Sequence, residues 1–338
     1  MKNKILVTGG LGFIGSHVVV ELLDNDYEVI IIDNLANSNI SILDRINVIT
    51  KKKPIFYQLD IRDYDNLKSL FINHHVDAVI HLAALKSVEE SVKNPIMYYE
   101  NNVIGTKVLM NLMDSFEVRN FIFSSSATVY GEPQFLPITE IHQLAPFNPY
   151  GESKMECEIM CNDFTSSHGW NCVTLRYFNP IGSHSSHLLG ESSSNPPTNI
   201  IPLLCKVAYG LKTKLLIYGD TYETIDGTCI RDYIHVTDLA KAHLCSLSYI
   251  LNDQKSAVFN IGTGVGYSVF QLLESFQKIN KLKIPYEISE KRSGDASSVY
   301  ANCDLAYQAL GWKAFYGIER MVKDSWESYL YLMSNPTK

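Results

Sequence analysis

Apolar residues in this chain come in short unbroken runs, separated by longer stretches of mixed polarity. Ile5-Leu6-Val7, inside Lys4–Thr8, is the first run, and Val29-Ile30-Ile31-Ile32 is the second. Runs this short, rich in β-branched residues, predict strands buried on both faces, as in a parallel sheet. A helical pattern joins them and ends near Leu23. The alternation continues. Ile55 to Leu59 predicts a third strand, ending at Asp60-Ile61, and Ala78 to Ala84 a fourth. A long helix is expected from about Pro95 to Phe116, then strands at Phe121-Ile122-Phe123 and from Cys172 to Phe178. Asn148 is a good N-cap and Pro149 suits the first helical position, so a helix should open just before Tyr150. The chain reads as α/β with a doubly wound parallel sheet.

Beyond Phe178 the pattern loosens. Asn179-Pro180 leaves the sheet, and residues 183–197, rich in Ser, His, Asn and Pro, read as a long loop and candidate substrate lid. Ile200 to Tyr209 is helical, and Leu215-Leu216-Ile217-Tyr218 is a short strand. Val258-Phe259-Asn260-Ile261 is expected to return to the main sheet. From Ser268 onward, helix and short strand alternate. We therefore expect a first domain of residues 1–180 plus about 236–262. A smaller α/β domain should form from 181–235 and 263–338.

Composition narrows the class. The 338 residues, 46% apolar and 19% charged, suit a globular protein with a sizeable core. A net charge of −7 argues against nucleic acid or an anionic membrane as partner, and no apolar stretch is long enough to span a bilayer. Glycines interrupt the N-terminal apolar run, so no signal peptide is expected. The seven cysteines are odd in number and form no C-x-x-C, which fits a reduced, cytoplasmic protein. Cys157 and Cys161, at helical spacing, read as packing residues. His184 and His187 form a close pair with no acidic or Cys partner, so no metal site is expected.

Candidate chemistry starts at Gly9, Gly12 and Gly15. They follow a strand and open a helix. The first two permit a tight turn and close approach to a pyrophosphate, and the third lets helix pack on strand. The helix N-terminus adds free N–H groups and a favourable dipole. Asp33, ending the second strand, suits the ribose hydroxyls of adenosine and repels a 2′-phosphate, which favours NAD over NADP. Asp60-Ile61 suits the adenine amine. Lys86, just past a strand end, is either a phosphate or ribose ligand or a surface lysine.

Tyr150 and Lys154 lie one helical turn apart on one face. A free tyrosine, pKa about 10, is a poor base at neutral pH. A nearby ammonium favours the phenolate, so the pair is either a chance match on an exposed helix face or a candidate proton acceptor for a sugar or alcohol hydroxyl. Ser124-Ser125-Ser126-Ala127-Thr128 reads either as turn chemistry or as the source of a third polar group. In the second case one hydroxyl holds the substrate oxygen and shares its proton with Tyr150.

Gly9/Gly12/Gly15, Asp33, Ser126 and Tyr150/Lys154 together resemble the extended short-chain dehydrogenase/reductase family. Val7–Gly10, Phe121–Gly131, Pro149–Gly151, Leu175–Pro180 and Gly227–His235 resemble its UDP-sugar 4-epimerase branch, over nearly the whole chain. The resemblance implies a Rossmann-type NAD domain and a UDP-sugar domain. It implies that NAD meets Gly9, Gly12, Phe13, Ile14 and Gly15, then Asp33, Asn34, Asp60 and Ile61, then Ala83, Ala84, Lys86, Asn101, Ser124, Tyr150, Lys154 and Phe178. It places the UDP-sugar against Lys86, Ser126, Tyr150, Asn179, Asn199, Ile200, Leu216, Ile217, Tyr218, Arg231, Arg292, Asp295 and Val299. Arg231 and Arg292 would clasp the phosphates; read without the family, they are surface ion pairs with Asp232 and Asp295.

The implied reaction is reversible epimerisation at C4 of UDP-glucose and UDP-galactose. Tyr150 takes the O4 proton, Ser126 shuttles it, Lys154 lowers the Tyr150 pKa and binds the nicotinamide ribose, and NAD borrows the C4 hydride. The family is typically a homodimer, with the helices at Pro95–Phe116 and Pro149–Ser167 pairing. In the family, the position of Val299 is Tyr in enzymes limited to plain hexoses and small in those that also take N-acetylhexosamines, so UDP-GlcNAc and UDP-GalNAc are expected substrates too. Related dehydratases carry an acidic pair where this chain has Ala127 and Thr128, which argues against loss of water. Other readings are a UDP-N-acetylglucosamine 4-epimerase, a dehydrogenase that consumes NAD, a uronic-acid epimerase needing a further cation near C6, and an NAD-sensing protein with no use for the three polar groups.

Overall fold

The computed structural model describes residues 2–191, 199–253, 255–292 and 295–335. The chain opens with β1 (Lys4–Thr8), α1 (Phe13–Asp24), β2 (Glu28–Asp33), α2 (Ile42–Thr50), β3 (Ile55–Gln58), α3 (Tyr64–Asn73) and β4 (Ala78–His81). Two short helices, α4 (Val88–Lys93) and α5 (Pro95–Tyr98), lead through a π-helical segment, Tyr99–Ile104, into α6 (Gly105–Ser115). β5 (Asn120–Ser126) runs into a 3-10 turn, Ala127–Tyr130, and α7 (Pro149–His168) leads to β6 (Asn171–Tyr177). There follow β7 (Asn179–Ile181), α8 (Ile200–Ala208), β8 (Leu215–Tyr218), β9 (Ile230–His235), α9 (Val236–Asp253) and β10 (Ala257–Ile261). The last elements are β11 (Gly266–Ser268), α10 (Val269–Asn280), β12 (Tyr286–Ser289), β13 (Ser298–Val299), α11 (Asp304–Leu310) and α12 (Ile318–Ser334).

Seven parallel strands form the main sheet in the order β3-β2-β1-β4-β5-β6-β10. Successive side chains along a strand go to opposite faces. Ile5, Val7, Ile31 and Ile80 pack under α1 and α9, with Val18, Leu22, Leu239 and Leu247. Leu6, Ile30, Val79, Phe121 and Phe123 pack under α3, α6 and α7, with Leu67, Leu109, Met113, Cys157 and Cys161. Each such fully buried side chain contributes about 1.5–3 kcal/mol, so the sheet is a firm platform. Register sets Thr8 level with Ile32 and His81, His81 with Phe123, and Ser126 with Tyr177. The strand order reverses between β1 and β4, and ligands bind outside the carboxyl ends at such a switch point.

The second lobe is built on β9, which pairs with β11, β13 and β7, and on the parallel pair β8 and β12. Its core holds Ile181, Ile201, Leu204, Leu273, Phe276 and Met321. From Asp304 the chain folds back, and Ala306 and Trp312 join the first core. No described helix is long and apolar enough to cross a membrane.

Three elements depart from the sequence pattern. β4 stops at His81, not Ala84, because the Thr8 hydroxyl accepts the Leu82 and Ala83 amides, each at 3.1 Å, and bends the chain out of the sheet. The expected Pro95–Phe116 helix is broken into three by its π-helical turn. The serine-rich stretch is partly strand: Ser124, Ser125 and Ser126 all belong to β5. In the expected loop 183–197, Ser183 bridges antiparallel to Gly190; residues 192–197 lie outside the described residues.

Candidate active site

The glycine loop begins with Gly9 at φ +66°, where its N–H donates to Ile32 O at 2.8 Å. A Cβ on Gly9 would stand 2.8 Å from Ala83 N, and one on Gly15 only 2.1 Å from Gly9 O. Both positions need glycine for close approach. At Gly12 a Cβ would meet only Gly9 O, at 3.2 Å, so that face opens to the cleft. Gly12 caps α1 with no side-chain hydrogen bond, and the first-turn N–H groups of Phe13 and Ile14 are free of any such cap. This cradle fits a dinucleotide pyrophosphate.

Asp33 is buried at the end of β2. It accepts from Leu11 N (3.1 Å), Leu35 N (3.0 Å) and the Ser38 hydroxyl (2.8 Å), tying the glycine loop to β2. Asn34 donates to Asp60 at 2.9 Å, and Arg62 grips Asp60 with two hydrogen bonds of 2.8 Å, which hold that carboxyl well below the usual range. Ile61 is buried against Gly105, where a Cβ would lie 2.6 Å from its Cδ1. These groups gather at the carboxyl ends of β2 and β3.

Loop 82–86 is held by a directed hydrogen-bond chain. The Thr8 oxygen accepts two amides, so its proton goes to His81 Nδ1 at 2.7 Å. His81 Nε2–H then donates to Thr106 at 2.8 Å. Burial pushes the His81 pKa down to about 3, so the ring stays neutral. The buried Asn102, in the π-helical turn, completes the clamp. Its oxygen accepts Leu85 N at 2.9 Å, and its amide donates to Leu85 O and to the Ser153 hydroxyl, both at 3.0 Å. Asn101 donates to Asn102 at 3.0 Å. Loop 82–86 and α7 are thereby joined.

The start of α7 follows its sequence signals. Asn148 accepts Gly151 N at 2.9 Å and Pro149 occupies the first turn. Gly151 permits contact with the 3-10 turn: a Cβ there would lie 2.8 Å from Thr128 O. That approach brings half-buried Tyr150 near half-buried Ser126, whose hydroxyl acts to lower the phenol's pKa. The Tyr150 ring packs edge-to-face on Tyr98 at 6.4 Å.

Lys154 departs from expectation. Its ammonium donates to Ser124 O at 2.7 Å and lies 5.0 Å from the Phe123 ring centroid. Burial pushes its pKa down to about 8. Tyr150 has its pKa raised by burial, opposed by the Ser126 hydrogen bond, where the sequence pattern predicted a lowering by Lys154. The cause is the enclosed, largely apolar surroundings, with the ammonium engaged on a carbonyl. Phe178, following β6, is buried beside Ala127 and Val299.

Across the cleft, Arg231 donates to Ala296 O at 2.8 Å and lies 3.6 Å from Asp295. The Arg292 guanidinium stacks on Tyr218, 3.8 Å from its ring centroid, on the strand that also carries Leu216 and Ile217. Val299, in β13, pairs with Arg231 of β9. Asn179 opens β7, level with Tyr233 of β9. Asn199 precedes Ile200 at the start of α8 and donates to Glu191 at 3.0 Å. The same Glu191 oxygen receives Lys86 at 3.2 Å, joining loop 82–86 to the second lobe. Sequence reasoning missed Glu191, Asn102, Thr128 and Gly151. Each lay within a stretch singled out by its pattern, Glu191 in the 183–197 loop, Asn102 beside Asn101, Thr128 in the serine run and Gly151 beside Tyr150, but none was given a site role.

The family model described as GDP-mannose 4,6 dehydratase matches residues 6–325. A UDP-glucose 4-epimerase of Bacillus subtilis is 44% identical over 95% of each chain. Among solved structures, a UDP-glucose-4-epimerase of Stenotrophomonas maltophila with bound NAD and formylated UDP-arabinopyranose superposes at TM-score 0.96, with 40% identity over 99% of each chain. One from Bifidobacterium longum, in complex with NAD+ and UDP, gives 0.94 and 44% over 99% of each. By these matches, the chain belongs to the UDP-glucose 4-epimerases of the extended short-chain dehydrogenase/reductase family.

Proposed function

We propose that the chain interconverts UDP-glucose and UDP-galactose at C4 through a 4-keto sugar. The observation that supports this most is the meeting of Tyr150 with Ser126, one helical turn from Lys154, at the strand ends beside the glycine cradle. Tyr150 takes the O4 proton, directly or through Ser126. When bound, NAD would supply the acceptor and donor for the C4 hydride and a positive charge that favours the phenolate. Lys154 keeps protons free beyond its bond to Ser124 for the nicotinamide ribose. Gly9, Gly12 and Gly15 receive the pyrophosphate, and Asp33 the adenosine ribose. Arg231 and Arg292 hold the UDP firmly while few groups hold the hexose, so the keto sugar can turn. Two copies pair through α5–α6 and α7.

Val299 sets the room beside the sugar. It packs with Ala127 and Phe178 next to Ser126, and its side chain is far smaller than tyrosine. The site therefore admits a 2-acetamido group. The test is product analysis on UDP-glucose, UDP-galactose, UDP-GlcNAc and UDP-GalNAc. All four should epimerise, and Val299→Tyr should lower turnover of the N-acetyl pair at least about ten-fold while sparing the others, the size of one steric contact worth over 1.4 kcal/mol. Wild type idle on the N-acetyl pair would remove this specificity.

A further inference from the structure

We propose that Thr128 is a positioning residue that fixes the direction of the Ser126 hydroxyl proton. This rests on the roles of Tyr150 and Ser126 proposed above. A serine hydroxyl has one proton to donate and two lone pairs with which to accept. At Ser126 one residue uses both lone pairs: Thr128 N–H donates at 3.2 Å and the Thr128 hydroxyl at 3.0 Å. Ser126 sits in extended backbone, φ −147° and ψ 149°, and caps the 3-10 turn, so the turn itself sets both donors. The Ser126 proton is left to turn toward the Tyr150 phenol, whose pKa the Ser126 hydroxyl lowers.

Ser126 is then a donor only. It stabilises the phenolate, but has no free lone pair to receive the O4 proton. That proton passes straight to Tyr150. The O4–H bond breaks and its pair stays on O4 to become the carbonyl, as the C4 hydrogen leaves with its own pair to NAD. The phenolate becomes a phenol, and Ser126 ends as it began. A carboxylate at position 128, as in the acidic pair of the related dehydratases, would accept from Ser126 and turn its proton the other way.

The test is a double-mutant cycle on the whole enzyme with UDP-glucose. Thr128→Val keeps the shape and removes the hydroxyl. It should lower kcat about ten-fold, the worth of the Ser126 hydrogen bond to the phenolate once that proton is free to turn away, with KM nearly unchanged. It should also move the rising limb of the kcat profile to higher pH, and Thr128→Ser should restore both. In a Ser126→Ala background, Thr128→Val should add no further loss. Equal losses in both backgrounds would overturn the inference while leaving the roles of Ser126 and Tyr150 intact. Ser126→Ala turning over like wild type would overturn those roles, and the inference with them.

Discussion

Lys154 carries its charge where charge is costly. It is 4% exposed, its one hydrogen bond goes to Ser124 O, and burial holds its pKa near 8, down from 10.5. Below pH 8 folded and unfolded chains both hold this proton, and the full cost of burying it is present. Between pH 8 and 10.5 the unfolded chain binds more protons, so stability rises with pH as the cost fades. Lys154→Met should therefore raise Tm at pH 7, by the equivalent of about 1–3 kcal/mol after loss of the hydrogen bond. The gain should shrink between pH 8 and 10.5 in thermal melts. A Met variant less stable at pH 7 would mean that the bond to Ser124 outweighs burial. Residues whose chemistry is local were legible in the sequence: the glycines by spacing, Tyr150 and Lys154 by the helical turn, Asn148 and Pro149 by capping. Glu191 and Asn102 were not, because their partners lie up to 105 residues away and depend on side-chain direction.

Among the elements, α4, α5 and α7 leave apolar side chains in solvent. Val92 is 63% exposed, Ile96 73% and Ile159 47%, and Ile104 of the π-helical turn 52%. Faces of this kind mark protein contacts. If these helices pair across a two-fold axis, charges there split the pair. The double variant Ile96→Glu/Ile104→Glu should halve the mass seen in sedimentation. A wild-type chain that is monomeric at every concentration would end the dimer proposal. The strands were legible because burial on both faces gives unbroken apolar runs. The π-helical turn was not, because a single wide turn barely disturbs a 3.6-residue pattern. α4, only six residues long, is too short for any period to show.

At the scale of the molecule, one rigid sheet brings distant residues to a common edge. The register of β1, β4, β5 and β6 carries Thr8, His81, Ser126 and Tyr177 to the strand ends, and α7 lays Tyr150 over them. The second lobe faces that edge with Arg231, Arg292 and Val299, and Glu191 receives a hydrogen bond from each side. The proposed chemistry therefore depends on one phenol placed against one sugar oxygen. The most direct measurement is turnover of UDP-glucose by the purified chain, without added reductant, beside Tyr150→Phe. The wild type should form UDP-galactose with no net NADH. The Phe variant should bind UDP-glucose normally and turn over about 10²–10⁴-fold more slowly, the loss of one general base. Near-wild-type turnover by the Phe variant, or NADH released in step with product, would contradict the account.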